Sequence, residues 1–343
     1  MRHVKINLTK MGADAPEGDI MAKQPKSCSA FRTTIGGQAL IEGIMMQGPD
    51  KKAIVVRKSD GELEIKEEPR KVIKDKYPIL GWPLIRGVVN FGSSMVNGVR
   101  ALFWSADFFP EDEATPQEPS KFDLWLEKKL GSEKATSFIM GFAAFLSILF
   151  SIALFFLLPT FIAGFFDRFL TSALVHNIIE GVIRIVIFML YLILCSRMKD
   201  MKRVFSYHGA EHKTIFCYEA GLPLTVENVR KQGRHHPRCG TSFLFVVVIV
   251  SILCSSVVFT YVEWTNLWVR MGLHLVLLPF VVAISYEFNR WTGAHDNWLT
   301  RILTKPGLWM QNFTTFEPDD SMIEVGIEAL TRVIPEEKGK DAW

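Results

Sequence analysis

Two stretches of this chain contain no Asp, Glu, Lys or Arg: residues 138–166 and residues 242–262. At 1.5 Å per residue, a helix of about 20 apolar residues crosses a hydrocarbon core, and buried helices of soluble domains are usually shorter. The uncharged runs therefore predict a membrane protein, mainly α-helical, with about four transmembrane helices. The first span is placed at about Phe138–Phe161, the second at Asn177–Ser196, the third at Thr241–Tyr261 and the fourth at Met271–Tyr286. The connection between the second and third holds nine Lys and Arg, at positions 197, 199, 202, 203, 213, 230, 231, 234 and 238. The other two connections hold Arg168 and Arg270. This excess of positive charge puts the long loop, and with it both termini, in the cytoplasm. Trp264 and Trp268 then suit an aromatic belt on the opposite face.

The remaining segments divide by composition. Residues 1–30 are polar and lack the apolar core of a signal peptide, so they read as a disordered or spurious extension, with Met21 as an alternative start. Residues 31–80 predict a small cytosolic β unit: glycine-punctuated turns between Gly36 and Gly48, then a hairpin turning at Asp60-Gly61. In residues 81–109, Arg86 and Arg100 bracket only thirteen uncharged residues. That favours an interfacial or re-entrant helix over a fifth span, with Gly87, Gly92, Ser94 and Gly98 allowing close helix contact. Residues 110–137 read as an acidic linker and a charged helix, and 138–196 as transmembrane helices 1 and 2. Residues 197–240 form a cytosolic His-rich loop with helices, 241–290 transmembrane helices 3 and 4, and 291–343 a cytosolic C-terminal segment. In that segment Pro306-Gly307 reads as a chain break, and Ser321-Met322-Ile323-Glu324 as a capping box opening an amphipathic helix.

The chemistry-bearing residues concentrate in the long loop. Tyr207-His208-Gly209-Ala210-Glu211-His212-Lys213 contains H-x-x-E-H, which on a helix puts His208 and His212 on one face with Glu211 beside them. Two neutral imidazoles suit a divalent metal, zinc above all, and Glu211 suits a base acting on water. Such a site needs a third protein ligand, for which His235, His236, Cys239, Glu219 and Glu227 all lie close in sequence. His235-His236-Pro237-Arg238-Cys239-Gly240 brings two more imidazoles and a soft thiol, so four of the eight His share one loop. Within the second span Glu180 and Arg184 are four apart and predict an intramembrane pair, and His274 falls in the fourth span. The five cysteines show no C-x-x-C spacing and no disulfide framework, which points to a reducing compartment. A net charge of +3 gives nucleic-acid binding no support, and neither a P-loop nor a dinucleotide fingerprint is present.

Several stretches taken in order carry a family resemblance. They are Gly36-Gly37-Gln38-Ala39 with Glu42-Gly43-Ile44-Met45-Met46, Pro83-Leu84-Ile85-Arg86-Gly87, Tyr207 to Lys213, His236-Pro237-Arg238-Cys239-Gly240-Thr241-Ser242, Ser285-Tyr286-Glu287 and Pro306-Gly307. Over roughly residues 31–335 the chain resembles the YqhQ-like family of bacterial membrane proteins, a group sometimes labelled predicted metal-dependent enzymes. The resemblance implies a multi-pass protein of the bacterial cytoplasmic (inner) membrane. It points to His208, Glu211, His212, His236 and Cys239. Two functions follow. One is a divalent-metal site at the cytosolic face, with His208 and His212 as ligands, His236 or Cys239 as the third, and Glu211 as base or as the group that orients the ligands; if such a site is catalytic, a metal-dependent hydrolase is the expectation. The other is a non-catalytic scaffold or accessory factor of a membrane complex, engaged in protein insertion or envelope assembly. Beyond the lipid bilayer, a membrane protein partner or a second copy of the chain is the partner to look for.

Overall fold

The computed structural model describes residues 31–70, 76–109, 132–166, 169, 172–262, 266–295 and 297–343. The N-terminal extension, residues 110–131, Arg168 and Trp264 lie outside them, together with what the sequence predicts there. Four strands, β1 (Gly36–Leu40), β2 (Gly43–Gln47), β3 (Lys51–Arg57) and β4 (Leu63–Pro69), form an antiparallel meander in that order. A two-residue turn, Ile41-Glu42, joins β1 to β2 with Leu40 facing Gly43. Glu42 takes a positive φ of 49° there. The β3–β4 hairpin turns where Asp60-Gly61 predicts it, with Gly61 at φ 87°.

The sheet buries both faces, which explains its nearly continuous apolar central strand. Alternation sends Ile44, Met46, Ala53 and Val55 to one face and Met45, Ile54 and Val56 to the other. Helices α5 (Lys199–Glu219) and α10 (Asp320–Thr331) cover the first face through Tyr207, Ala210, Ile215, Val325 and Leu330. The C-terminal half of α1 (Ile85–Ala106) and the turn after it cover the second through Ala101, Trp104 and Phe108. The N-terminal half of α1 leans on α8 (Leu267–Ala294). A Cβ at Gly87 would stand 3.0 Å from the Ala283 Cα, and Arg86 binds Glu287 through two hydrogen bonds of 2.7 and 2.5 Å. Helix α1 thus ties the sheet to the bundle, and its small residues Gly87 and Gly98 are used within the chain.

Among the described residues, four helical segments are long and apolar enough to cross a membrane: Gly141–Gly164, Leu174–Arg197, Gly240–Phe259 and Leu267–Ala294. The first runs through α2 (Ser132–Ile152), a π turn (Ala153–Leu157) and α3 (Leu158–Gly164). Pro159 cannot donate to the Phe155 carbonyl, and the widened turn absorbs the lost bond. The second is α4 (Ala173–Arg197) and the third α7 (Gly240–Tyr261). The fourth, α8, is longer at both ends than the span predicted at Met271–Tyr286, because Arg270 and Glu287 find partners on neighbouring helices and need no loop. The outward side chains of this bundle are apolar, including Phe142, Phe145, Phe150, Val182, Leu190, Leu253 and Val276.

Two predictions about the C-terminal segment are corrected. Pro306-Gly307 does not break the chain; both lie inside α9 (Trp298–Thr314). Packing overrides the missing proline donor, since Gly307 lets α9 approach Ser242 of α7 so closely that a Cβ would stand 2.8 Å from it. The last helix is capped by Asp319, whose carboxylate accepts from Met322 N at 3.0 Å. Ser321 is already inside that helix and donates to the same carboxylate.

Candidate metal centre

Helix α5 is buried on two flanks, so the His208–Glu211–His212 face and the Tyr207–Ala210–Thr214 face both meet protein. Its position is fixed from three sides. At the β1–β2 turn, Glu42 binds Arg203 and accepts from Tyr207 Oη at 3.1 Å. Gly209 lets the backbone around Phe316 lie directly on the helix, with Phe316 N donating to Phe205 O at 2.9 Å. Lys213 donates to Arg230 O at 2.9 Å and pairs with Glu317.

The two imidazoles are oriented by backbone carbonyls. His208 Nδ1 lies 2.8 Å from Thr314 O, one of the carbonyls that the end of α9 leaves unpaired. His212 Nδ1 lies 2.6 Å from Arg234 O. A carbonyl only accepts, so each Nδ1 carries the proton, and a neutral ring then presents Nε2 as a bare lone pair. His212 Nε2 is buried without a hydrogen-bond partner. His208 Nε2 lies 3.1 Å from Cys239 Sγ. Cys239 is the N-cap of α7, where its sulfur accepts from Thr241 N at 3.4 Å. Ligand atoms of His208, His212 and Cys239 all lie within 4.8 Å of one another.

Electrostatics follow from this packing. Burial pushes the Cys239 thiol up, but the His208 and His212 rings outweigh it and hold the thiol well below its usual range. Removal from water pushes His208 down, yet the Cys239 sulfur and Glu211 carboxylate raise it to about 9. Burial pushes Glu211 above the ordinary carboxylate range. Its Oε1 accepts from Gly37 N at 3.1 Å, while the buried Oε2 has no hydrogen-bond partner. That approach needs a glycine: a Cβ at residue 37 would stand 3.0 Å from Glu211 Cδ and 2.8 Å from Met45 O.

Of the sequence-proposed third ligands, the structure brings Cys239 to the two imidazoles. His236 is not part of the triad. Its ring packs 5.5 Å from that of His212, but Nδ1 accepts from Arg238 N at 3.4 Å and Nε2 faces Glu219 at 3.7 Å. Gln311 clamps its backbone on both sides, at 2.7 and 2.8 Å. Burial depresses its pKa to about 4. Glu219 is engaged by Arg238 and Thr33 N, and Glu227 pairs with Lys231 on the surface. Sequence reasoning missed Gly37, whose only signal was its place in a glycine pair, and the Thr314 and Arg234 carbonyls, which no sequence marks.

The predicted Glu180–Arg184 pair is present at 2.7 Å and is one edge of a larger cluster at the far end of the bundle. Glu180 Oε1 also accepts from Thr160 at 2.9 Å, and Oε2 accepts from Arg270 Nε and Nη2 at 2.8 and 2.5 Å. His274 Nε2 lies 2.7 Å from Glu180 Oε1, Arg184 donates to Ser251 at 2.7 Å, and Arg270 to Asn177 at 2.6 Å. Arg270, predicted as a loop residue, is instead 1% exposed within α8.

The family profile described as "Protein of unknown function (DUF1385)" matches residues 82–336. The "Uncharacterized protein YqhQ" of Bacillus subtilis (strain 168) is 34% identical over 300 residues, covering 87% of this chain and 92% of that protein. No solved structure matches the chain. With these matches over most of its length, the chain belongs to the DUF1385 family.

Proposed function

We propose that this protein is a multi-pass protein of the bacterial cytoplasmic membrane that binds a divalent metal, zinc, at its cytoplasmic face and acts there as a metal-dependent hydrolase. The carrying observation is the triad geometry. Two imidazoles with Nδ1 committed to backbone carbonyls direct Nε2 toward the Cys239 sulfur, within ligand-group spacing, and one of those nitrogens is a buried orphan. Donor chemistry of two imidazoles and a thiolate fits zinc. Zinc held there supplies a Lewis acid. Glu211 would serve as the base: its Oε2 is free to accept a proton from water, and Gly37 N keeps the other oxygen in place. The membrane reading rests on the four apolar helices and their outward apolar side chains, and the excess of positive charge in the long loop supports cytoplasmic termini.

Metal analysis of the full-length protein in detergent tests the reading. Wild type is expected to carry close to one zinc per chain, and His208→Ala/His212→Ala less than a tenth of that. Metal-free wild type, or a double variant that retains zinc, defeats it. The alternative of an accessory factor in a membrane complex draws on the exposed apolar side chains of α1, namely Ile85, Val88, Met95, Val96 and Leu102. It predicts a protein crosslink from α1 that survives the double His substitution.

A further inference from the structure

Where α3 ends and α8 begins, the described residues of the bundle bury two guanidiniums against one carboxylate. Glu180 is saturated: its two oxygens accept from Thr160, from Arg184 and twice from Arg270, and His274 Nε2 lies 2.7 Å from Oε1. Among the described residues, three amide and guanidinium donors of this cluster then have no acceptor, although their side chains are at most 3% exposed: Arg184 Nε, Arg270 Nη1 and Asn177 Nδ2. An excess positive charge and idle donors away from water are costly unless an anion is supplied.

Depth and surroundings indicate which anion. Arg270 is the fourth residue of α8 and Thr160 the fifth from the end of α3. At 1.5 Å per residue they lie within about 10 Å of the helix ends. Trp268, 78% exposed, marks the interfacial level beside them. An apolar groove of about 340 Å³ runs along the same seam, opened where the π turn widens the first span. Its lining includes Ala153, Leu157, Leu158, Phe161 and Met271. Met271 follows Arg270 and Phe161 follows Thr160, so the groove borders the donor cluster. A chain in that groove places its head beside the idle donors.

We propose that this seam is a binding site for an anionic phospholipid, with one acyl chain along Ala153, Leu157 and Met271 and the phosphate taken by Arg270, Arg184 and Asn177. The inference rests on the membrane reading above but is independent of the metal. The test uses the full-length protein in detergent, stripped of lipid and titrated with phosphatidylglycerol or phosphatidylcholine of identical chains, or with inorganic phosphate, and read by native mass spectrometry. Phosphatidylglycerol is expected to bind at least tenfold more tightly than phosphatidylcholine. Arg270→Gln should abolish that preference, and Arg270→Lys should keep most of it. Ala153→Phe fills an exposed groove position without touching the core, so it should weaken phosphatidylglycerol binding about fivefold even if Arg270→Gln fails to fold. Equal binding of the two lipids, binding unchanged by Ala153→Phe, or competition by inorganic phosphate at lipid-like concentrations would each overturn the site. Zinc content measured on the same samples separates this outcome from failure of the metal reading.

Discussion

At the end of the bundle where α7 begins, the buried groups around the triad offer lone pairs: His212 Nε2, Glu211 Oε2 and the Cys239 sulfur. At the end where α7 finishes, the idle groups are donors, on Arg184, Arg270 and Asn177. The first set calls for a cation and the second for an anion. Both clusters obey the same rule, that buried polar atoms need partners, and what differs is the sign of the missing one. Their supports differ as well. Backbone carbonyls from distant segments orient the imidazoles, whereas side chains of four neighbouring helices hold the Glu180 cluster together.

The strongest way to break this comparison is to neutralise a carboxylate at each end. Glu180→Gln leaves two buried guanidiniums without a counter-charge and is expected to cost about 3–5 kcal/mol of stability. Glu211→Gln keeps the oxygen that accepts from Gly37 and should cost under about 1 kcal/mol while removing hydrolytic turnover. Thermal unfolding in detergent of the two variants reads the contrast; equal losses would show that the clusters do not differ as described. A smaller effect is expected from Gly37→Ala. Its Cβ meets Met45 O at 2.8 Å and Glu211 Cδ at 3.0 Å, so about 1–3 kcal/mol should be lost and Glu211 displaced. Zinc content should stay near wild type, because no ligand moves; loss of zinc would make Glu211 a ligand and not a base.

The smallest effect per step is a pH dependence confined to the triad. In the metal-free protein His208 titrates at about 9, so below that pH a proton must leave before Nε2 can bind metal. Zinc affinity should therefore rise with pH toward 9, about tenfold (~1.4 kcal/mol) per unit, and level off above it. Cys239 is held well below its usual range, so it adds less to this slope than an ordinary thiol would. Calorimetry in buffers of different ionisation enthalpy should show about one proton released per zinc at pH 7. Zero protons would mean that His208 is already neutral.

Which features were legible follows from the range of the interactions that create them. The H-x-x-E-H spacing puts two imidazoles on one helical face by local geometry alone. The spans at Phe138–Phe161 and Thr241–Tyr261 announced themselves by absence of charge, and the Asp60-Gly61 turn by its preference for positive φ. Glu180 and Arg184 were also visible, being one helical turn apart. Arg270 was not: beside a span it looks like any flanking charge until α8 packs on α7 and its guanidinium reaches Glu180 of α4. Pro306 misled for the converse reason, since local preference predicts a break that contact between Gly307 and Ser242 overrides.

The sequence by itself determined the hydrophobic spans, the small sheet and the presence of metal-loving residues in one loop, because periodicity and composition act over a few residues. The tertiary structure alone decided that Cys239 and not His236 completes the triad, that Gly37 holds Glu211, and that Arg270 joins Glu180. Those choices depend on which carbonyls and side chains arrive from segments tens to hundreds of residues away: Gly37 is 174 residues from Glu211, and Thr314 is 106 from His208. No local pattern encodes such arrivals; they follow from packing the sheet, α5, α7 and α9 around one buried point.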